Sequence, residues 1–378
     1  MIYLDFTQAR SARHLSGLTR VGGRLAAALG ERARPVRWSE VAGSARPEDW
    51  FLTSELFSEE ERPGFSAFLG SRPCRMAAIY HDAIPLKFPH TTWSKSVARH
   101  PHYLSLLSRF NRVWAVSRAS REELLGYWKW QGVSGPEVGV IDLGADMADN
   151  ARVVAGPLGR TLLCVGILEP RKNQDLLLSA CERLWGEGLR FDLVLVGRVN
   201  PQFGRPLKRR VDALARRFPQ LSHLEGVDDA RLVGLYADAR ATLMPTLAEG
   251  CGLPLLESLW MGVPCVCSDV APVAENARGG GCKVVPAGDL DAWVEALRAI
   301  VSDDSLCAAL AGAARTRPLP TWAQAADRLC GELASPIRAS SLRTPSRPQC
   351  DPAARRCASR KSRCGSGPCR RERRARWT

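Results

Sequence analysis

Short apolar runs alternate along the chain with longer stretches in which apolar residues recur every three or four positions. The first pattern marks buried strands and the second amphipathic helices. In the first half, strands are predicted at 2–6, 50–52, 76–80, 113–116 and 138–141, with helices near 18–29, 99–107 and 119–127. The second half repeats the alternation more regularly. Strands are predicted at 161–165, 191–196, 223–224, 241–244, 264–267 and 283–285, and helices at 173–185, 207–217, 230–237, 253–261, 289–301 and 322–333. Strand and helix taking turns in this way implies an α/β architecture with parallel sheets covered on both faces. Polar residues followed by Gly156-Pro157-Leu158-Gly159 break the pattern midway. The reading is therefore an N-terminal Rossmann-like domain over 1–148, a linker over 149–160, a second domain over 161–334 and a tail over 335–378. Ligands of such sheets bind beyond the carboxyl ends of the strands, so two domains would share a cleft there.

At 378 residues the chain suits two domains, and 45% hydrophobic and 24% charged residues are globular values. No apolar run reaches the roughly 18 residues that a membrane-spanning helix needs. Met1-Ile2-Tyr3-Leu4-Asp5-Phe6 lacks a basic stretch ahead of an apolar one, so a signal peptide is not expected and a cytoplasmic location is. The net charge of +14 changes meaning once it is divided. The tail holds 13 Lys and Arg against two acids, Asp351 and Glu372, leaving 40 basic and 37 acidic residues before it. A nearly neutral body argues against specific nucleic-acid binding. The tail, rich in Arg, Ser and Pro, reads as disordered, with peripheral contact to an anionic membrane as its expected use.

The 13 cysteines divide likewise. Nine lie in the body, mostly in apolar contexts such as Leu162-Leu163-Cys164-Val165, and read as small buried hydrophobes with free thiols. Cys350, Cys357, Cys364 and Cys369 of the tail have spacings that match no common zinc finger.

The segment richest in chemistry is Glu249-Gly250-Cys251-Gly252-Leu253-Pro254-Leu255-Leu256-Glu257. Two glycines after a strand let the backbone approach a ligand closely, and Pro254 suits the first turn of a helix. The unpaired N–H groups of that helix start would suit a diphosphate. Glu257 then falls on the second turn, and both glutamates can look into one cleft. Spacing alone fits equally well a Gly-Pro turn with one solvated and one salt-bridged glutamate.

The stretch resembles the E-x7-E signature of the retaining nucleotide-sugar glycosyltransferases of family four, which have the two-domain GT-B fold. Val165-Gly166-Ile167-Leu168-Glu169-Pro170-Arg171-Lys172-Asn173 resembles the element in which an Arg and a Lys hold the donor diphosphate. Tyr80-His81-Asp82-Ala83-Ile84-Pro85 is similar to the His-Asp-x-x-Pro loop of a bacterial mannosyl- and rhamnosyltransferase-like branch. Ala115-Val116-Ser117, Asp142-Leu143-Gly144-Ala145-Asp146 and Thr321-Trp322-Ala323 are further matches, and the likeness covers roughly residues 1–334. It implies that Glu257 binds the ribose and that Glu249 contacts the transferred sugar. The amides of Gly252 and Leu253 would help to hold sugar and diphosphate, with Arg171 and Lys172 neutralising the latter. His81 would face the donor from the first domain, as would Gly17 in Ser16-Gly17-Leu18-Thr19-Arg20. The chain departs from many relatives in two places: Ile167 stands where they carry an Arg, and Cys251 replaces the common aromatic.

Two other patterns weigh against metal chemistry. Asp289-Leu290-Asp291 matches the Asp-x-Asp of metal-dependent transferases, but it follows Gly288 and opens a helix, where Asp is an ordinary cap. His100 and His102 flank Pro101 without a third ligand and read as a surface loop or helix start. No metal or cofactor is expected. The resemblance implies hexosyl transfer from a GDP- or UDP-linked sugar, GDP-mannose included, to a saccharide or lipid-linked glycan. The setting it implies is O-antigen, lipopolysaccharide or capsule synthesis. The alternatives are a sugar-nucleotide epimerase of the same fold and a nucleic-acid or membrane-surface binder acting through the basic tail.

Overall fold

Alternating strands and helices build two six-stranded sheets in a computed structural model that describes residues 1–8, 17–147 and 159–336. The first half runs β1 (Ile2–Asp5), α1 (Gly17–Leu29), β2 (Ala33–Val36), β3 (Trp50–Thr53), α2 (Phe65–Ser71) and β4 (Arg75–Tyr80). It continues with α3 (Ile84–Lys87), α4 (Ser94–Leu107), β5 (Arg112–Ala115), α5 (Arg118–Gln131) and β6 (Val138–Val140). Its strands lie in the order β2-β1-β3-β4-β5-β6, every pair parallel.

The second half runs β7 (Thr161–Val165), α6 (Gln174–Gly186), β8 (Asp192–Val196), α7 (Arg205–Arg217), β9 (Leu221–Leu224) and α8 (Asp229–Asp238). Then come β10 (Ala241–Met244), α9 (Leu253–Trp260), β11 (Cys265–Ser268), α10 (Ala271–Ala277) and β12 (Cys282–Val285). Three helices finish the fold: α11 (Leu290–Ser302), α12 (Asp304–Thr316) and α13 (Trp322–Ala334). The sheet order is β12-β11-β10-β7-β8-β9, again wholly parallel. Parallel strands must be covered on both faces, which is why β1, β3, β10 and β11 are buried at every position.

The cores show how the halves are joined. Phe51, Phe57, Phe65 and Tyr103 fill the outer face of the first sheet, and Leu177, Leu193 and Trp293 that of the second. A third core runs through both halves, from Leu4 and Leu25 to Leu163, Leu255, Leu259 and Leu329. The last helix, α13, packs against α1, although it follows the second sheet in the chain. Trp322 seats it: its N–H donates to Asp146 Oδ1 at 2.6 Å, and a Cβ on Gly144 would lie 2.3 Å from its backbone nitrogen. The residues read as a linker lie mostly, and those read as a basic tail almost wholly, outside the described part.

Among the described residues, no helix is long and apolar enough to cross a membrane. The nine body cysteines are free thiols, seven of them buried.

Candidate active site

Behind β7 the chain turns through Glu169 into a single tight turn, Pro170–Lys172, and Asn173 then adopts φ +55° to enter α6. Asparagine tolerates that conformation better than most residues, and its amide is anchored to the Ala287 carbonyl at 2.9 Å. The turn aims two cations at one loop. Arg171 donates to Glu169 Oε1 at 2.6 Å and to the Ala248 carbonyl at 2.7 Å, with Glu249 Oε2 3.6 Å away. Lys172 Nζ lies 2.5 Å from Glu249 Oε1. Glu169 is itself held by the Asn200 amide at 2.8 Å. Burial disfavours a charge on Glu249, but Lys172 and then Arg171 outweigh it and hold the carboxyl below its usual range. Burial likewise works against Arg171, and Glu249, Glu169 and Asp82 overcome it to raise its pKa.

The other half of the loop explains its glycines separately. Gly252 has φ +86°, a left-handed conformation costly for any residue with a Cβ, and it starts α9 with Pro254 in the first turn. The start of this helix offers fewer donors than its sequence suggested. Pro254 has no N–H, and the Leu255 and Leu256 N–H groups donate back to the Gly252 carbonyl at 3.0 and 3.4 Å. The helix start can therefore offer a ligand only the amides of Gly252 and Leu253. Gly250 is needed for a different reason: a Cβ there would lie 2.5 Å from the carbonyl oxygen of His81, across the cleft. Cys251 between them is buried, and burial pushes its thiol up to about 12, so it packs rather than reacts. Its carbonyl accepts from Asn276 at 2.8 Å. Glu257 lies one turn into α9 and is buried; its Oε2 accepts from the Tyr236 hydroxyl at 3.1 Å, and its Oε1 is 3.3 Å from Arg20.

The first half meets this loop with β4 and α5. His81 follows β4 and is buried, with Nε2 2.9 Å from the Ser54 carbonyl. A carbonyl can only accept, so Nε2 carries the proton and Nδ1 is the acceptor of the neutral ring. Burial lowers the His81 pKa, more than the Ser54 carbonyl and Asp82 raise it, so the ring is neutral at pH 7. Ser120 spans the two halves, its hydroxyl 2.7 Å from the His81 carbonyl and 3.1 Å from that of Gly250. Nearby, Glu275 of α10 accepts the Arg118 and Ala119 N–H groups at 2.9 and 2.7 Å, so a carboxylate of the second half sits on the first turn of α5.

The structure thus gathers Arg171, Lys172 and Glu249 into one cluster and brings His81 against Gly250, beside it. Glu257 belongs to a second cluster with Arg20 and Tyr236, one helical turn beyond Gly252 and Leu253. Gly17 is the first residue of α1, one turn before Arg20. Arg20, Ser120, Tyr236 and Glu275 went unnoticed in the sequence. Arg20 does stand in the segment with Gly17, but nothing local says that its partner lies 237 positions away.

Both acidic and histidine decoys resolve. Asp289 caps α11, its Oδ1 accepting from the Ala292 N–H at 2.9 Å, while Asp291 pairs with Arg183 at 2.6 Å. His100 corrects its expectation: it is buried inside α4, with Nε2 3.1 Å from the Asp82 carbonyl. The helix starts at Ser94 rather than beside it, carries Pro101 internally and turns only His102 outward.

Residues 159–303 match the family described as Glycosyl transferases group 1. Among curated proteins, the chain is 30% identical over 225 residues to the serotype-specific mannosyltransferase WbdA of Escherichia coli, covering 53% of this chain and 26% of that one. It is 35% identical over 144 residues to an O-antigen chain mannosyltransferase B of Escherichia coli, or 38% of this chain and 37% of the relative. It therefore spans well under half the length of either. Among solved structures, Anabaena HepE in complex with UDP and glucose superposes with a TM-score of 0.66 at 14% identity, over 89% of this chain and 99% of that one. The second half of the chain is thus similar to the glycosyl transferases group 1 domain over residues 159–303, and the two sheets together take the fold of the GT-B glycosyltransferases.

Proposed function

We propose that this chain is a retaining glycosyltransferase that moves a hexosyl group from a nucleoside diphosphate sugar to a saccharide acceptor. The relatives named as mannosyltransferases favour mannose, and so GDP-mannose, as the donor, and O-antigen-type polysaccharide as the product. The observation that carries the reading is the cluster of Arg171, Lys172 and Glu249 beside the start of α9, with His81 against the same loop. Two cations and the amides of Gly252 and Leu253 suit a leaving diphosphate on which negative charge builds. Glu249 orders both cations before the donor arrives, and in the complex it contacts the transferred sugar. Glu257 takes the ribose hydroxyls. Transfer is then chiefly electrostatic and orientational, the acceptor hydroxyl attacking on the face that the diphosphate leaves. Because the protein itself supplies the positive charge, the reaction is expected to need no divalent metal.

The test is incubation of the full chain with GDP-mannose and with UDP-glucose, in the presence and absence of oligomannoside acceptors. Acceptor-dependent release of GDP or UDP with a lengthened glycan supports the reading. Isomerised donor without acceptor would mean that the chain is an epimerase. A lipid-linked acceptor and contact of the tail with anionic membranes belong to the same proposal. Sedimentation of the chain with vesicles containing anionic lipid, lost when residues 335–378 are removed, would support the latter.

A further inference from the structure

α1 carries two arginines one turn apart, Arg20 and Arg24, and both reach out of the first half. Arg24 Nη2 is 2.9 Å from Asp229 Oδ2, and Arg20 Nη2 is 3.1 Å from Asp229 Oδ1. The second nitrogen of Arg20, Nη1, lies 3.3 Å from Glu257 Oε1. The guanidinium is thus forked between an exposed carboxylate at the start of α8 and a buried one on α9, and it is mostly buried itself. We propose that Arg20 is a positioning residue for the nucleotide: it reaches across from the first half to fix Glu257, so that the ribose site is complete only when the two halves are together. The inference rests on the donor reading above.

Glu257 shows why such a partner is needed. Its side chain is 8% exposed, and no cation of its own half is among the groups that set its charge. The groups facing it are Arg20 and Arg24 from α1, and Tyr236 and Asp229 from α8. Burial raises its pKa, Asp229 adds to that, and Arg20, Tyr236 and Arg24 oppose it. Without Arg20 the carboxyl would hold its proton to a higher pH, and a protonated carboxyl accepts poorly from a diol. The geometry also leaves room. An ionised carboxylate has about four lone-pair sites, and Tyr236 and Arg20 engage one on each oxygen, which leaves two for two adjacent hydroxyls. A guanidinium fork holds both carboxylates in one plane, whereas a lysine would offer a single point of charge.

The experiment measures binding of GDP, of UDP and of inorganic pyrophosphate by calorimetry from pH 5 to 9, for the full chain and for Arg20→Met, Arg20→Lys and Asp229→Asn. The expected result for Arg20→Met is at least a tenfold loss of nucleoside diphosphate affinity at pH 7. Its acid limb should move up by about one pH unit or more, since an opposite charge at this range lowers a carboxyl by 1 to 3 units. Pyrophosphate binding, which lacks the ribose, should be unaltered. Arg20→Lys should keep the acid limb but lose affinity, and Asp229→Asn should change nucleotide binding less than threefold. In a Glu257→Gln background, Arg20→Met should have no further effect on the acid limb. Unaltered nucleotide affinity in Arg20→Met overturns the proposal, as does an equal loss for pyrophosphate. If Arg20→Met does not fold, Arg20→Lys decides alone, and wild-type affinity in it overturns the proposal. Failure of the unmodified chain to bind any of these ligands is a different outcome, for it removes the donor reading on which the inference stands.

Discussion

The two sheets face their shared cleft with different chemistry. The second brings Arg171, Lys172 and Glu249, already paired with one another, and a buried Glu257 whose cations come from the first half. The first brings a backbone carbonyl and a neutral ring at His81, a hydroxyl at Ser120 and two long cations, Arg20 and Arg24. Its own buried ion pairs are turned to another use: Arg62 is fully buried between Asp5 and Glu55, at 2.6 Å from each, under the ends of β1 and β3. There the charges brace the first sheet beside a small cavity lined by Asp5, Ser54 and Glu55. An anion site with its countercharges in place needs little reorganisation when a diphosphate arrives. On the proposed reading the second half is organised as the donor site, and the first contributes the contacts that register the halves against each other.

The sharpest way to break this comparison is to remove charge from the second half. Lys172→Ala should lower turnover by about a hundredfold or more, the loss typical of a group that meets charge developing in the transition state. The same change leaves Glu249 with Arg171, at 3.6 Å, as its remaining cation, so donor binding should weaken as well. Steady-state transfer kinetics check it, and a folded variant with unaltered kinetics would move the diphosphate elsewhere.

The next test acts on the registration rather than on the charge. Gly250→Ala puts a methyl group 2.5 Å from the His81 carbonyl and 3.3 Å from an Asp82 carboxylate oxygen. Backbone cannot yield there as a flexible side chain would, so the halves must part. A misplacement on the ångström scale can cost up to about a hundredfold, and kcat/KM should fall tenfold or more. Small-angle scattering should record a larger radius of gyration. Normal kinetics with unaltered scattering would mean that the contact is incidental to catalysis.

A smaller effect separates His81 by pH. Its pKa is lowered on folding, so the unfolded chain takes up a proton first as pH falls. Stability from the buried neutral ring is therefore fully present above the ordinary histidine range and is lost as pH drops through that range and below it. Replacing His81 by Gln, which cannot titrate, should lower the Tm at pH 7.5 yet make it fall less on going to pH 5.5. An equal acid sensitivity in the variant would assign that sensitivity to other groups.

How much of this was legible in the sequence follows the same division. The strands β7 and β10 and the loop over 249–257 could be read because their chemistry is local: apolar runs end in glycine, and a proline opens a helix. Four helices and one strand went unread, for identifiable reasons, the four-residue α3 (Ile84–Lys87) because it is a single turn. β2 (Ala33–Val36) is an edge strand of Ala, Arg, Pro and Val whose middle two residues are exposed. α2 and α10 are only seven residues each, too short for a helical period to declare itself. α12 is largely alanine and buries only Cys307, Ala311 and Ala314, so it shows no apolar stripe of large residues. The contacts between halves had no local signal at all. Arg20 with Glu257, Ser120 with Gly250 and Glu275 with the start of α5 are set by the docking of two sheets. Gly250 was legible as a close approach, but to a ligand; the structure fills that space with the His81 carbonyl.

The smallest expected effect concerns the acidic pair left outside the cleft. Asp289 Oδ1 accepts the N–H of Ala292, three residues on, as a helix N-cap does, and Asp291 is spent on Arg183 at the protein surface. Neither bonds to any residue assigned to the donor. Asp289→Asn keeps a capping oxygen, so its cost should lie at the bottom of the range for a lost cap, while Asp289→Ala should cost about 0.5 to 2 kcal/mol. Denaturant unfolding measures the difference between them. Turnover should be the same in both folded variants, and in the unmodified chain before and after treatment with EDTA. On the proposed reading, the charge needed by the diphosphate comes from Arg171, Lys172 and the amides of Gly252 and Leu253. Activity lost to chelation and restored by magnesium or manganese would break the assignment. The second half would then be a site that needs a cation between its own and the donor's charges, and Asp82, close enough to Arg171 to raise its pKa, would be the first carboxylate to test.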